Sequence, residues 1–174
     1  DTYEQIRLKM ITLGLIHCDE TGSRVDGKTC WVHVASDQNY TYLTINQKRG
    51  QAGMDAANVL PHANGIIMHD CWSSYWKYQN VTHAICCAHL LRELNGVIEN
   101  HPEQTWAVRF KKLLLDMKKV RDKALLSDKD EVSYYHRHRF DVEYMLSDSQ
   151  IGQYDLVDVF SVRAVNDYGR IVVY

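Results

Sequence analysis

Two aspartates, each at the end of an apolar stretch, are the residues best placed to carry out chemistry together. Asp19 follows the apolar residues 11–18, and Asp70 follows the apolar residues 65–69. A carboxylate at the end of a buried strand is held rigidly at the sheet edge where α/β enzymes bind ligands. Carboxylate oxygens favour Mg²⁺ or Mn²⁺ over softer cations, and a pair of such ions promotes phosphoryl transfer. The pattern favours a divalent-cation site, with a structural role in a turn or helix cap as the alternative.

The elements that would bring these acids together follow an α/β pattern. Five segments have the composition or periodicity of β-strands: residues 11–18, 29–36, 40–45, 65–69 and 81–86. Only polar segments separate the first three strands, beginning with a turn predicted at residues 19–23, and this predicts an antiparallel meander. The continuous apolar fourth segment is typical of a strand buried in parallel pairing. This order predicts a ribonuclease H-like mixed sheet, three antiparallel strands and then two parallel ones, with flanking helices. In that fold the first and fourth strands are neighbours, so Asp19 and Asp70 would face one crevice.

Helical segments connect and follow the strands. Residues 51–59 are predicted to form a crossover helix, residues 72–78 a short aromatic helix, and residues 88–94 a further helix. Beyond residue 103, apolar residues recur at steps of four and three: Trp106, Phe110, Leu113, Met117, Val120 and Ala124. That spacing is typical of a helix packed lengthwise on a partner. We assign residues 1–100 to a ribonuclease H-like core, 101–140 to a helical insertion and 141–174 to a poorly defined carboxyl-terminal tail.

Composition limits the classes of protein that this chain can represent. Its 174 residues, 45% of them apolar, can bury one sizeable core, and the formal charge of −2 gives no overall attraction to nucleic acid. The five cysteines are odd in number and irregularly spaced, which argues against a disulfide framework and for a cytoplasmic protein. No apolar run reaches the roughly 20 residues of a membrane-spanning helix. Because the chain begins at Asp1 without an initiator methionine, we expect a fragment.

Local clusters of basic residues are the remaining sequence feature that could indicate contact with nucleic acid. The helix that follows residue 103 carries many lysines and arginines outside its apolar seam. Contact with phosphate is one interpretation of this face, and a solvated helix surface is the other. The same two alternatives apply to Arg92 and to Lys48-Arg49. His69, next to Asp70, either donates a hydrogen bond to a carboxylate or phosphate, or is packed or solvated.

Several stretches in fixed order resemble the catalytic core of the transposases named for insertion sequence 66, over residues 13 to about 125. The stretches are His17-Cys18-Asp19-Glu20-Thr21, Arg24-Val25-Asp26-Gly27-Lys28, Trp31-Val32-His33-Val34, Thr41-Tyr42-Leu43, Arg49-Gly50, His69-Asp70-Cys71-Trp72 with Tyr75, and His83-Ala84-Ile85-Cys86-Cys87-Ala88-His89-Leu90-Leu91-Arg92-Glu93-Leu94. The resemblance implies a DDE-type domain that cuts and joins DNA at element ends. It further implies that Asp19 and Asp70 are catalytic and bind Mg²⁺ (or Mn²⁺). The implied partners are transposon ends and target DNA, in a homo-oligomer within the bacterial, nucleoid-associated cytoplasm.

The third acid of the implied site is not evident in the sequence. In the family it is a glutamate far downstream, in an asparagine-rich segment that contains Ala-Glu-Arg, and no segment here matches it. Residues 160–170 are the nearest in character and contain no glutamate. Glu93 is the substitute candidate, because it lies on the helix after the fifth strand, where this fold usually carries its third acid.

A second constellation comprises His83, Cys86, Cys87 and His89, whose nitrogen and sulfur atoms are the kind that bind zinc. Their spacing is too tight for a standard zinc finger. A cysteine, two residues and then a histidine recur after the second aspartate in several cut-and-paste transposase groups, and Cys86 and His89 match that pattern. Structural support of the active site, tuning of its electrostatics and zinc binding are the three alternatives for this pair.

Two functions from different classes follow from these observations. The first is a transposase catalytic domain that performs metal-dependent cleavage and strand transfer of DNA. The second is an inactive remnant that keeps the fold but only binds DNA or supports assembly. A structure-selective nuclease of the same fold is a further alternative.

Overall fold

The computed structural model describes residues 1–127 and 132–151, and these divide into two compact units. The first unit is Asp1–Ile85, and the second begins at Cys86. The boundary expected from the sequence, near residue 100, and the assignment of residues 101–140 to an insertion stay predictions. None of the described helices is both long enough and apolar enough to cross a membrane.

The first unit is a five-stranded sheet with short helices. Its elements are α1 (Thr2–Thr12), β1 (Leu15–Val25), β2 (Lys28–Ser36), β3 (Thr41–Asn46), α2 (Gln51–Ala56), β4 (Ile66–His69) and β5 (Thr82–Ile85), with single 3₁₀ turns at Leu60–His62 and Tyr75–Lys77. The strand order is β3-β2-β1-β4-β5, with β1 to β3 antiparallel and β4 parallel to both β1 and β5. This is the ribonuclease H-like arrangement, so the predicted fold class is confirmed.

The first strand differs from its prediction at both ends. Residues 2–12 form α1, whose start is capped by the Asp1 carboxylate accepting from the Glu4 amide at 2.8 Å. β1 then continues through residues 19–23, which were predicted to form a turn, and pairs with β2 as far as Val25. The reversal comes at Asp26 and Gly27, both with positive φ, as a two-residue hairpin requires. Asp19 therefore lies inside a strand and does not end one, whereas Asp70 directly follows β4 as predicted.

The core of the first unit is packed against one face of the sheet. Met10 of α1, Ile16 of β1 and Ile67 of β4 are almost completely buried there, together with residues of α2 and the 3₁₀ turns.

Two glycines permit close approach of the backbone. A Cβ atom at Gly53 would lie 2.0 Å from the Lys48 carbonyl oxygen, and one at Gly65 would lie 2.5 Å from that of Leu13. Neither position can accept a side chain without local movement.

The second unit consists of helices α3 (Cys87–Asn100), α4 (Thr105–Leu126) and α5 (Tyr134–Ile151). Helix α4 packs against both α3 and α5. Four of the predicted seam residues are buried, namely Trp106, Phe110, Leu113 and Met117. The predicted lengthwise packing of this helix is therefore confirmed. In the segment predicted to be poorly defined, α5 continues to Ile151, and residues 152–174 lie outside the described part of the chain.

Candidate functional site

The parallel pairing of β1 with β4 determines where the two aspartates lie. Leu15 pairs with Ile66 and His17 pairs with Met68. Asp19 lies two residues beyond His17 within β1, and Asp70 lies two residues beyond Met68, directly after β4, so both acids come after the same end of this parallel pairing.

Asp19 and its neighbours alternate between the two faces of β1. Cys18 and Glu20 are buried on the core side, whereas Asp19 is exposed on the other. Burial raises the pKa of the Cys18 thiol to about 12, so this thiol stays protonated. The alternation explains how one strand contributes both to the core and to the candidate site.

Each carboxylate accepts a hydrogen bond from a nearby backbone amide. The Glu20 N–H donates to Asp19 Oδ1 at 2.9 Å, and the Trp72 N–H donates to Asp70 Oδ1 at 3.0 Å. The second contact is an Asx turn, in which an aspartate side chain accepts from an amide two residues later. These bonds restrict the orientation of both carboxylates.

On the opposite face of β1, Glu20 forms a buried polar cluster with Arg49 and Tyr75. The Glu20 side chain is completely buried, and its Oε1 accepts from Arg49 Nε at 3.1 Å and contacts Arg49 Nη2 at 3.0 Å. The Tyr75 hydroxyl donates to Glu20 Oε2 at 2.6 Å. Burial, together with this hydrogen bond, raises the pKa of Tyr75 far above its ordinary value. Tyr75 therefore remains a donor, and both oxygens of Glu20 are satisfied.

Arg49 also stacks on two indole rings. Its guanidinium carbon lies 4.0 Å from the ring centroid of Trp72 and 4.9 Å from that of Trp31. Both are within the range of a cation–π interaction. The sequence offered phosphate contact or solvation for Arg49, and the structure instead gives it a protein carboxylate and two aromatic partners. Nothing in the local sequence pairs Arg49 with Glu20, because 29 residues separate them.

A pair of histidines supports the backbone at Asp70. His69 is completely buried, stacks on Tyr75 with 4.4 Å between ring centroids, and its Nδ1 contacts the Asp70 carbonyl oxygen. Its Nε2 lies 2.9 Å from His83 Nδ1, and His83 Nε2 lies 3.0 Å from the Tyr78 carbonyl oxygen. Two neutral imidazoles carry one N–H group each, and the rings make three contacts. In any combination of tautomers, one of the three contacts therefore has no hydrogen to form a hydrogen bond. Of the alternatives for His69, the packed one is confirmed.

Burial governs the charge state of both rings. It lowers the pKa of His69 to about 4, although the contact with the Asp70 backbone acts in the opposite direction. Burial likewise lowers the pKa of His83, against the opposing effect of its hydrogen bond to Tyr78. The pair is therefore uncharged near pH 7, and His69 stabilises the position of Asp70 by packing and hydrogen bonding.

The remaining candidate residues belong to the second unit. Cys86 is the residue before α3, and His89 and Glu93 lie one helical turn apart on that helix, with Glu93 exposed. Burial raises the pKa of the Cys87 thiol, which opposes the thiolate form that metals require. Among residues 1–127 and 132–151, no three His, Cys, Asp or Glu side chains form a group able to hold a metal ion.

A model of the family described as "Transposase IS66 family" matches residues 1–148. The chain belongs to the IS66 transposase family. The match covers the sheet, helices α3 and α4 and most of α5, which is more than the stretches recognised in the sequence. This IS66-family chain is therefore a transposase domain with a ribonuclease H-like core. No curated protein matches it significantly.

Three solved structures that this chain resembles weakly are two forms of a retroviral integrase core and a retroviral intasome. The HTLV-2 integrase catalytic core domain in complex with magnesium, in its dimeric form, is 14% identical with a TM-score of 0.36, covering 52% of this chain and 74% of that one. The trimeric form is 13% identical with a TM-score of 0.35, covering 82% and 86%. A simian T-cell lymphotropic virus intasome in complex with PP2A regulatory subunit B56 gamma is 14% identical with a TM-score of 0.35, covering 81% and 49%. None of these similarities is close enough to assign a role to a residue of this chain.

Proposed function

We propose that this domain catalyses divalent-metal-dependent cleavage and strand transfer of DNA during transposition of an insertion sequence. Asp19 and Asp70 are its first two catalytic, metal-binding acids. The observation that carries this proposal is the parallel register of β1 and β4, in which Asp19 and Asp70 each come two residues after the last paired residues, His17 and Met68. Membership of a transposase family supplies the reaction class.

The chemistry of the donor atoms fits Mg²⁺ or Mn²⁺. Both candidate ligands are carboxylates, which are hard oxygen donors, and each is oriented by a backbone amide. A divalent cation bound there would supply Lewis-acid activation of the attacking oxygen and stabilisation of the leaving oxygen. The protein's own contribution would be to hold Asp19 within β1 and Asp70 directly after the neighbouring strand β4.

The proposed partners are transposon ends and target DNA, in a homo-oligomeric assembly within the bacterial cytoplasm at the nucleoid. The overall charge of −2 provides little attraction to DNA. Exposed basic side chains on α4, such as Lys112 and Lys118, are hydrogen bonded to aspartates one turn away. We therefore expect affinity for DNA to depend on the proposed homo-oligomeric assembly as well as on this domain.

A second candidate function is a domain that binds DNA or supports assembly without catalysing a reaction. The observation in its favour is that, among the described residues, no His, Cys, Asp or Glu side chain forms a metal-binding group of three with the two aspartates. Glu93 stays a candidate for the third acid. Residues 160–170, the other segment considered from the sequence, lie outside the described residues.

Calorimetric titration with Mn²⁺ tests the proposed site. We expect binding to the wild-type chain to weaken at least about tenfold in Asp19→Asn and in Asp70→Asn, because each substitution removes a charged ligand. Asp26→Asn is the matched control, since Asp26 lies in the β1–β2 turn and asparagine tolerates its positive φ. Equal affinity in all four proteins would contradict the assignment of the two acids.

A strand-transfer assay on DNA that carries the element ends separates the two functions. Activity that requires Mg²⁺ and is lost in Asp70→Asn would support the catalytic domain. Retention of DNA binding without cleavage, under conditions in which a full-length family member is active, would favour the non-catalytic candidate.

A further inference from the structure

Arg49 links the two segments that carry the candidate acids. It forms an ion pair with Glu20, the residue after Asp19, and stacks on Trp72, two residues after Asp70. Both contacts are made by the planar guanidinium group of Arg49, and the Arg49 side chain is 40% exposed. A group of this size that contacts both segments restricts their relative position.

The residues that Arg49 contacts are the ones that orient the carboxylates. The Glu20 amide donates to Asp19 Oδ1, and the Trp72 amide donates to Asp70 Oδ1. Movement of the Glu20 side chain or the Trp72 ring therefore alters a donor to each acid. This coupling acts through the backbone, because Arg49 pairs with the Glu20 side chain and stacks on the Trp72 ring, and these two residues carry the donating amides.

The chemistry of the cluster requires an arginine. A completely buried carboxylate needs a compensating charge and satisfied hydrogen bonds, and Arg49 and Tyr75 provide these for Glu20. A guanidinium can donate to a carboxylate in its plane while its faces stack on aromatic rings. A lysine ammonium keeps the charge but cannot combine in-plane hydrogen bonding with stacking of a planar group.

We propose that Arg49 is a positioning residue that sets the spacing and orientation of Asp19 and Asp70 by joining Glu20 to Trp72. This inference rests on the proposed function for its catalytic consequence. The part of this inference that concerns structure alone is that Arg49 orders the amides of Glu20 and Trp72, and it can be measured without metal or DNA. Arg49 acts through its neighbours and is not a catalytic residue.

Amide hydrogen exchange in the metal-free protein tests that structural content. In Arg49→Lys, we expect the Glu20 and Trp72 amides to exchange at least about tenfold faster than in the wild type, beyond any change in the β2–β3 ladder. Arg24→Lys is the matched control, because Arg24 lies on β1, the strand that carries Glu20, is exposed and donates to the Gly27 carbonyl oxygen at 3.4 Å. Equal protection of these two amides in Arg49→Lys and the wild type would overturn the inference.

A pair of tyrosine variants separates positioning from general stability. Tyr75 and Tyr78 are both buried and each donates its hydroxyl to a carboxylate, at 2.6 Å to Glu20 and 2.7 Å to Asp55. We expect Tyr75→Phe and Arg49→Lys to weaken Mn²⁺ binding about fivefold, whereas Tyr78→Phe leaves it unchanged. Equal Mn²⁺ affinity in Tyr75→Phe and Tyr78→Phe would count against the inference.

The two proposals fail in different ways. If the wild-type chain and Asp70→Asn bind Mn²⁺ equally, the proposed metal site is wrong, and amide exchange alone decides whether Arg49 orders the two segments. If Asp70→Asn loses Mn²⁺ but Arg49→Lys changes neither Mn²⁺ affinity nor exchange, the metal site stands and the role of Arg49 is overturned.

Discussion

The ion pair between Arg49 and Glu20 and the ion pairs along α4 use similar side chains for different ends. Glu20 is completely buried, and Arg49 joins segments that are distant in the sequence. On α4, Lys112 pairs with Asp116 at 2.8 Å, and Lys118 pairs with Asp122 at 2.5 Å, each within one turn and in contact with solvent. The comparison teaches that the first pair constrains tertiary structure, whereas the exposed pairs within α4 are expected to contribute little to stability.

Removing the charge of Arg49 is expected to have the largest effect. Arg49→Met leaves the buried Glu20 carboxylate without its counter-charge, which should lower the free energy of unfolding by about 3 kcal/mol. Urea denaturation measures this change. A loss no greater than that of Arg24→Met would show that the buried pair behaves like a surface pair.

Acidification should also destabilise the first unit selectively. Burial lowers the pKa of His69 from 6.5 to about 4, so between these values the unfolded chain binds more protons than the folded one. The contribution of His69 is complete above about pH 6.5 and is lost as the pH falls to about 4, amounting to at most about 3 kcal/mol. His69→Phe should therefore reduce the dependence of unfolding free energy on pH in this window. An unchanged dependence on pH in His69→Phe would contradict the effect of burial on His69.

Glycine substitutions extend the comparison to the backbone. At Gly53 a Cβ atom would clash with the Lys48 carbonyl oxygen at 2.0 Å and with His33 Nε2 at 2.6 Å, so Gly53→Ala should cost about 2 kcal/mol. At Gly96 in α3 a Cβ atom meets nothing within 4 Å, so Gly96→Ala should stabilise the helix by about 0.5–1 kcal/mol. Thermal unfolding of the two variants checks both signs. A stabilised Gly53→Ala would mean that the contact of α2 with β2 is looser than described.

The smallest effect is expected for the ion pairs on α4. Lys112→Gln removes one lysine partner of Asp116 and leaves Lys119, and we expect the urea midpoint to stay within experimental error of the wild type, because water screens these exposed pairs. A shift as large as that of Arg49→Met would remove the distinction between the two kinds of pair.

The sequence was informative where a single element determines the pattern. The apolar run ending at Asp70 and the seam that includes Trp106 and Phe110 both predicted elements that the structure contains. It was misleading at residues 19–23, whose polar and glycine content resembles a turn. Pairing with β2 extends the strand through them, because alternate residues such as Glu20 find partners on the core face.

The sequence by itself determined the fold class, the family resemblance and the choice of Asp19 and Asp70, because strand order and short motifs are local properties of the chain. Only the tertiary structure decided that Asp19 lies within a strand and that Arg49 pairs with Glu20 between two indole rings. It also decided that His69 is completely buried against Tyr75. Such contacts join residues far apart in the chain, and burial, which changes the energy of every polar group, exists only once those segments have packed together.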